Sequence, residues 1–116
     1  MRLASYRGHA EVARVLLEPG VDATAQDKSR STALHVASQG GHAEIVRVLL
    51  GYSVDAATQD NGGSTALHLA SRGGYVKVAR VLLDHDVDVT AQDKRGLTAL
   101  HLASRGGRAD LTRFLL

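Results

Sequence analysis

The sequence predicts an all-α solenoid, with short helix pairs stacked along one axis and no single central core. Three observations carry that expectation. The string Thr-Ala-Leu-His recurs every 33 residues, at 32–35, 65–68 and 98–101. Each copy opens two short apolar stretches of helical spacing, separated by a glycine pair at Gly40-Gly41, Gly73-Gly74 and Gly106-Gly107. The apolar residues are 44% of the chain and almost all aliphatic, with three Tyr, one Phe and no Trp. Any core must therefore be built from Leu, Val, Ile and Ala, one interface between neighbouring repeats at a time.

Cutting at Asp27, Asp60 and Asp93 divides the 116 residues, taken as one domain, into a truncated repeat 1–26, complete repeats 27–59 and 60–92, and a truncated repeat 93–116. Residues 27–59 and 60–92 share 17 of 33 positions, and residues 60–83 share 15 of 24 with 93–116. In the first repeat Met1 aligns with Leu34, so the opening turn is missing. Within a full unit, Thr65 has the position of an N-cap whose hydroxyl accepts a first-turn N–H, and Leu67, Leu69 and Ala70 supply the apolar face that follows. Gly73-Gly74 ends this helix. A second helix over Val76–Leu83 places Val78, Ala79, Val81, Leu82 and Leu83 on one face, with Lys77, Arg80 and Asp84 opposite. An extended connection and a tight turn such as Asp93-Lys94-Arg95-Gly96 lead into the next unit. Helices of two to three turns are unstable alone, so stacking must hold them.

These features resemble the ankyrin repeat family. The resemblance covers the whole chain and rests on the period, on Thr-Ala-Leu-His-Val-Ala at 32–37, on Thr-Ala-Leu-His-Leu-Ala at 65–70 and 98–103, and on Gly8-His9, Gly41-His42, Gly74-Tyr75 and Gly107-Arg108. It implies an ankyrin-repeat solenoid with β-turn fingers projecting from the helix pairs, and a non-catalytic role in binding another protein. Departures are local. Ala33, Ala66 and Ala99 stand where the family favours proline at the first helical position. Arg30 stands at the turn position of Gly63 and Gly96, and Ser53 and Asp86 at the post-helix position of Gly20. If φ is positive at these three sites, glycine there raises the melting temperature. Asparagine hydroxylation, known in some members, is not expected, because Thr24, Ala57 and Thr90 occupy the modified position.

Chemistry beyond binding is disfavoured. The chain has no cysteine, hence no disulfide, thiolate nucleophile or Cys-ligated zinc, which fits an intracellular (cytoplasmic or nuclear) protein. His35, His68 and His101 recur one per repeat. Equivalent residues of stacked helices lie roughly 10 Å apart, whereas zinc ligands sit about 2.0–2.1 Å from their ion. The expected role of these three is to bridge backbone groups of adjacent turns. His9 and His42 open second helices and read as structural, and His85 as a solvated loop residue. No metal or cofactor is expected. The glycine pairs join two helices without a preceding strand or a Gly-Lys-Ser/Thr run, so they do not make a phosphate loop. Residue types copied every 33 positions lack the dissimilar neighbours that a nucleophile and its base require. No apolar stretch is long enough to span a membrane.

Carried over position by position, the resemblance implies a partner surface formed by the finger residues and the outer side of each first helix. These are Tyr6 and Arg7, then Lys28, Ser29, Ser31 and Gln39, then Asn61, Ser64 and Arg72, then Lys94, Arg95, Leu97 and Arg105, with Gln26, Gln59, Gly62 and Gln92 beside them. The net charge of +2, from 14 basic and 12 acidic residues, hides a segregation. This side carries seven basic residues (Arg7, Lys28, Arg30, Arg72, Lys94, Arg95, Arg105) against Asp27, Asp60 and Asp93. The expectation is an acidic protein segment lying across it, held by arginine–carboxylate pairs with Tyr6 and Leu97 as apolar contacts. Glu11 with Arg14, Glu44 with Arg47 and Asp110 with Arg113 read as solvated pairs on the opposite helices. Other readings stay open: a fragment of a longer array or an engineered or reconstructed scaffold without its own partner, and weak nucleic-acid binding through the basic side. Leu3, Val12, Leu111, Phe114 and Leu115 in the end repeats also raise the prospect of end-to-end self-association.

Overall fold

The computed structural model describes residue 26, residues 28–51 and residues 54–115. Six α-helices lie within them: α1 Ala33–Gln39, α2 Ala43–Gly51, α3 Ala66–Gly73, α4 Val76–Leu83, α5 Ala99–Arg105 and α6 Ala109–Leu115. They form three antiparallel pairs. α1 packs on α3 and α3 on α5, while α2 packs on α4 and α4 on α6, giving two parallel layers of helices. The molecule is accordingly elongated, with extents of 39 × 24 × 23 Å.

Each first helix starts at its threonine. Thr32, Thr65 and Thr98 are extended N-caps whose Oγ1 accepts from the backbone N–H of His35, His68 and His101. Each histidine answers through Nδ1, which accepts the threonine N–H at 3.1, 3.2 and 3.1 Å. This reciprocal box satisfies two groups that a helix start otherwise leaves open. The glycine pair ends the helix, because its second member lies in the left-handed region, with φ of 75° at Gly41, 76° at Gly74 and 68° at Gly107. In the first two pairs the first member is also crowded: a Cβ on Gly40 would meet His42 Nε2 at 2.6 Å and one on Gly73 the Tyr75 ring, whereas Gly106 has room for one.

The interior is aliphatic, as the composition requires. Leu34, Ile45, Leu49, Leu82 and Leu111 are among the largest side chains fully removed from solvent, each worth about 1.5–3 kcal/mol. Ala37, Ala70 and Ala103 are wholly buried where first helices meet, and their small size permits that approach. Ala33, Ala66 and Ala99, in place of proline, are the buried first residues of their helices. Arg80 of α4 lies over the Phe114 ring of α6, 5.5 Å from its centroid. The left-handed turns also hold where they can be seen: φ is 61° at Arg30 and 59° at Asp86, beside 78° at Gly63 and 79° at Gly96. Ser53 lies outside the described residues.

Candidate functional site

Between one helix pair and the next, the chain makes a tight finger closed by its leading aspartate. In the second finger Asp60 N–H donates to Ser64 O at 3.0 Å and Gly63 N–H to Asp60 O at 2.9 Å. The Asp60 carboxylate then accepts from Gly62 N–H at 2.9 Å and Ser64 N–H at 3.0 Å through Oδ1. The third finger repeats this, with Asp93 Oδ1 accepting from Arg95 N–H and Leu97 N–H, both at 2.9 Å, and Oδ2 lying 3.4 Å from Arg95 Nη2. Asp93 is 7% exposed. Burial opposes its charge, but the N–H groups of Leu97 and Arg95 and the Arg95 guanidinium outweigh that and hold its pKa below the ordinary 3.8.

Neighbouring fingers are tied together in the same register. Asn61 N–H donates to Ser29 O at 3.0 Å and Lys94 N–H to Gly62 O at 2.9 Å. Asn61 Nδ2 adds a bond to Lys28 O at 3.2 Å. A glutamine braces each of the first two fingers: Gln26 Nε2 donates to Arg30 O, and Gln59 Nε2 to both Gly63 O and Gln92 O. Gln26, Gln59, Asn61 and Gln92 help wall a polar groove of 580 Å³ in which Arg30 and Lys94 are the cationic groups.

The histidines complete the inter-repeat joint. Because Nδ1 accepts, the proton sits on Nε2, which donates to Ser64 O at 2.9 Å from His35 and to Leu97 O at 2.8 Å from His68. His101 departs from the expectation that all three bridge: it keeps the bond to its own threonine, but it is exposed and its Nε2 has no partner among the described residues. His85, expected to be a solvated loop residue, is exposed beyond α4, with Nδ1 3.0 Å from Val81 O. Among the described residues no group of three or more His, Cys, Asp or Glu could hold a metal ion, and no helix is long and apolar enough to cross a membrane.

Tyr6 and Arg7 lie outside the described residues. Lys28, Ser29, Asn61, Lys94 and Arg95 are exposed on the fingers, with Ser31 and Leu97 half-buried behind them. Gln39, Arg72 and Arg105 are exposed at the ends of the first helices, forming a second row one repeat apart. Ser64 must be corrected. It is 5% exposed, with its N–H held by Asp60 and its carbonyl by His35, so it stands in the joint between repeats and not on the exposed surface. Asp60 and Asp93, counted as face charges from the sequence, direct oxygens to turn N–H groups. Sequence reasoning did not assign the glutamine brace, although Gln26, Gln59 and Gln92 recur at the 33-residue step.

A search among curated proteins found no match. Two family models do match, one described as ankyrin repeats in three copies over residues 1–93 and the other as ankyrin repeats in many copies over residues 73–116. With capped helix pairs, fingers and histidine joints already in register, the match over most of its length shows that this chain belongs to the ankyrin repeat family.

Proposed function

We propose that the chain binds an acidic protein segment across its fingers and the exposed ends of its first helices. Ankyrin repeats are in general protein–protein interaction modules and are typically non-enzymatic. The observation that carries the finer reading is the unequal use of charge. Lys28, Arg30, Arg72, Lys94 and Arg105 are exposed, whereas the carboxylates of Asp60 and Asp93 accept hydrogen bonds within the turns. A carboxylate-rich segment gains steering and arginine pairing on such a surface. Arg95 contributes less, since its guanidinium lies against Asp93.

Binding of an acidic, a neutral and a basic peptide of equal length, compared at low and high salt, tests this. The acidic peptide should bind tightest and weaken with salt, and Arg72→Glu with Arg105→Glu should abolish the preference. Equal binding of all three, or affinity indifferent to salt, refutes it. A mobility-shift assay with nucleic acid belongs beside it, because stronger retention of a polyanion than of the acidic peptide also refutes it.

Self-association through the last repeat is a second reading, favoured by Phe114, which is 36% exposed. Leu111 no longer supports it, being 1% exposed, while Leu115 is half-buried and Leu3 and Val12 lie outside the described residues. A sedimentation coefficient that does not change with concentration excludes it.

A further inference from the structure

We propose that Asn61 is a site of spontaneous deamidation, and that its conversion to aspartate or isoaspartate unties the second finger from the first. Asn61 is the chain's one asparagine and is followed by Gly62-Gly63. It stands exposed in the turn, where water reaches it.

The chemistry needs only water. The Gly62 nitrogen attacks Asn61 Cγ, so that an N–Cγ bond forms, the Cγ–Nδ2 bond breaks, and ammonia leaves carrying the proton that Gly62 gives up. Water then opens the five-membered imide at either carbonyl, giving aspartate or isoaspartate, with no change of oxidation state.

Two features of the finger favour the first step. Gly62 has no Cβ to crowd the attack, and the space where one would sit holds only Asp60 Oδ1, at 3.5 Å. The Gly62 N–H already donates to that same carboxylate oxygen at 2.9 Å, an acceptor that draws on the proton the nitrogen must lose.

The consequence falls on the ties between fingers. Asn61 Nδ2 donates to Lys28 O at 3.2 Å, and a carboxylate in its place turns an acceptor toward an acceptor. Isoaspartate also inserts a methylene into the main chain between Asn61 N–H, bonded to Ser29 O, and Gly63 N–H, bonded to Asp60 O, so both bonds cannot keep their register. Either product places a negative charge beside Lys28. The reaction does not depend on what the finger face binds.

Ageing the full chain at mildly alkaline pH and physiological temperature tests the proposal. The fragment between Arg47 and Arg72 is followed by mass for conversion of amide to acid, beside the same fragment free in solution. Asn61 in the folded chain should convert on the time scale of the free fragment, and Gly62→Ala should slow both. Asn61→Asp, made directly, should melt below the unaged protein. A folded chain still unconverted when the free fragment has gone over, or an Asn61→Asp variant that melts with the unaged protein, overturns the proposal.

Discussion

Replacing Arg30 by glycine should stabilise the protein while removing a charge and a long side chain. Arg30 is held at φ 61°, where the corresponding residues of the next two fingers are Gly63 at 78° and Gly96 at 79°. A left-handed conformation costs an L-residue roughly 1–2 kcal/mol. Glycine removes that strain but gives the unfolded chain more freedom, which takes back about 0.4–1 kcal/mol. No packing is lost, because the Arg30 side chain is exposed, and the bond from Gln26 Nε2 to Arg30 O at 2.8 Å is to the main chain. The net gain is about 0.5–1 kcal/mol, or a rise of about 2–5 °C in Tm. Thermal unfolding followed by circular dichroism should compare Arg30→Gly with Arg30→Ala. Alanine keeps the Cβ and the strain, so it reports the effect of losing the charge alone. If the glycine variant melts no higher than the alanine variant, backbone strain at this turn is not limiting and the argument fails.

Asp86→Gly follows the same logic at φ 59°, with a smaller gain in Tm because aspartate tolerates the left-handed region better than arginine. Ser38 and Ser71 are fully buried and their Oγ atoms have no hydrogen-bond partner among the described residues, so chemical denaturation should find Ser38→Ala and Ser71→Ala each more stable by about 1 kcal/mol. His68→Ala should cost about 2–4 kcal/mol through lost packing and two broken backbone bonds, and His101→Ala under about 1 kcal/mol because its outer bond is missing; equal losses would show that the bridge to Leu97 O contributes nothing. Asp93 has a depressed folded pKa, so its stabilisation is fully present above the ordinary aspartate range and is lost as pH falls through the lower folded value. The wild-type Tm should therefore drop more steeply than that of Asp93→Asn on acidification below about pH 4.

What could be read in the sequence was whatever a repeat decides locally. The second helix of the third repeat begins and ends at Val76 and Leu83 as its apolar spacing indicates, and the Thr65 cap follows from a hydroxyl placed just before an apolar run. Properties that depend on the neighbouring repeat were harder to see. Ser64 matches a family contact position by alignment, yet it is buried because His35 of the preceding repeat reaches its carbonyl. His68 and His101 sit in the same Thr-Ala-Leu-His-Leu-Ala string, yet His68 Nε2 meets Leu97 O of the next finger and is buried, whereas His101 is exposed. The aspartates were legible in principle: an acid at the first turn position, with free N–H groups two and four residues later, is an Asx-type cap. Charge counting treats such a carboxylate as free surface charge although one of its oxygens is committed to turn N–H groups.

This double use of finger residues decides which substitutions can separate binding from folding. Reversing Arg95 removes a basic group from the proposed face, but it also leaves the buried Asp93 without its guanidinium neighbour, so lost binding would carry a folding defect with it. Asn61 is compromised in the same way by its bond to Lys28 O. Arg72 and Arg105 stand exposed at the last turns of α3 and α5, where a cation also faces the helix carbonyl end and contributes only a few tenths of a kcal/mol. If reversing that pair abolishes capture of an acidic peptide while Tm moves by no more than the helix-end effect, the charge acts in recognition. If Tm falls in proportion to the binding lost, the basic rows hold the stack together and the partner surface must be sought elsewhere.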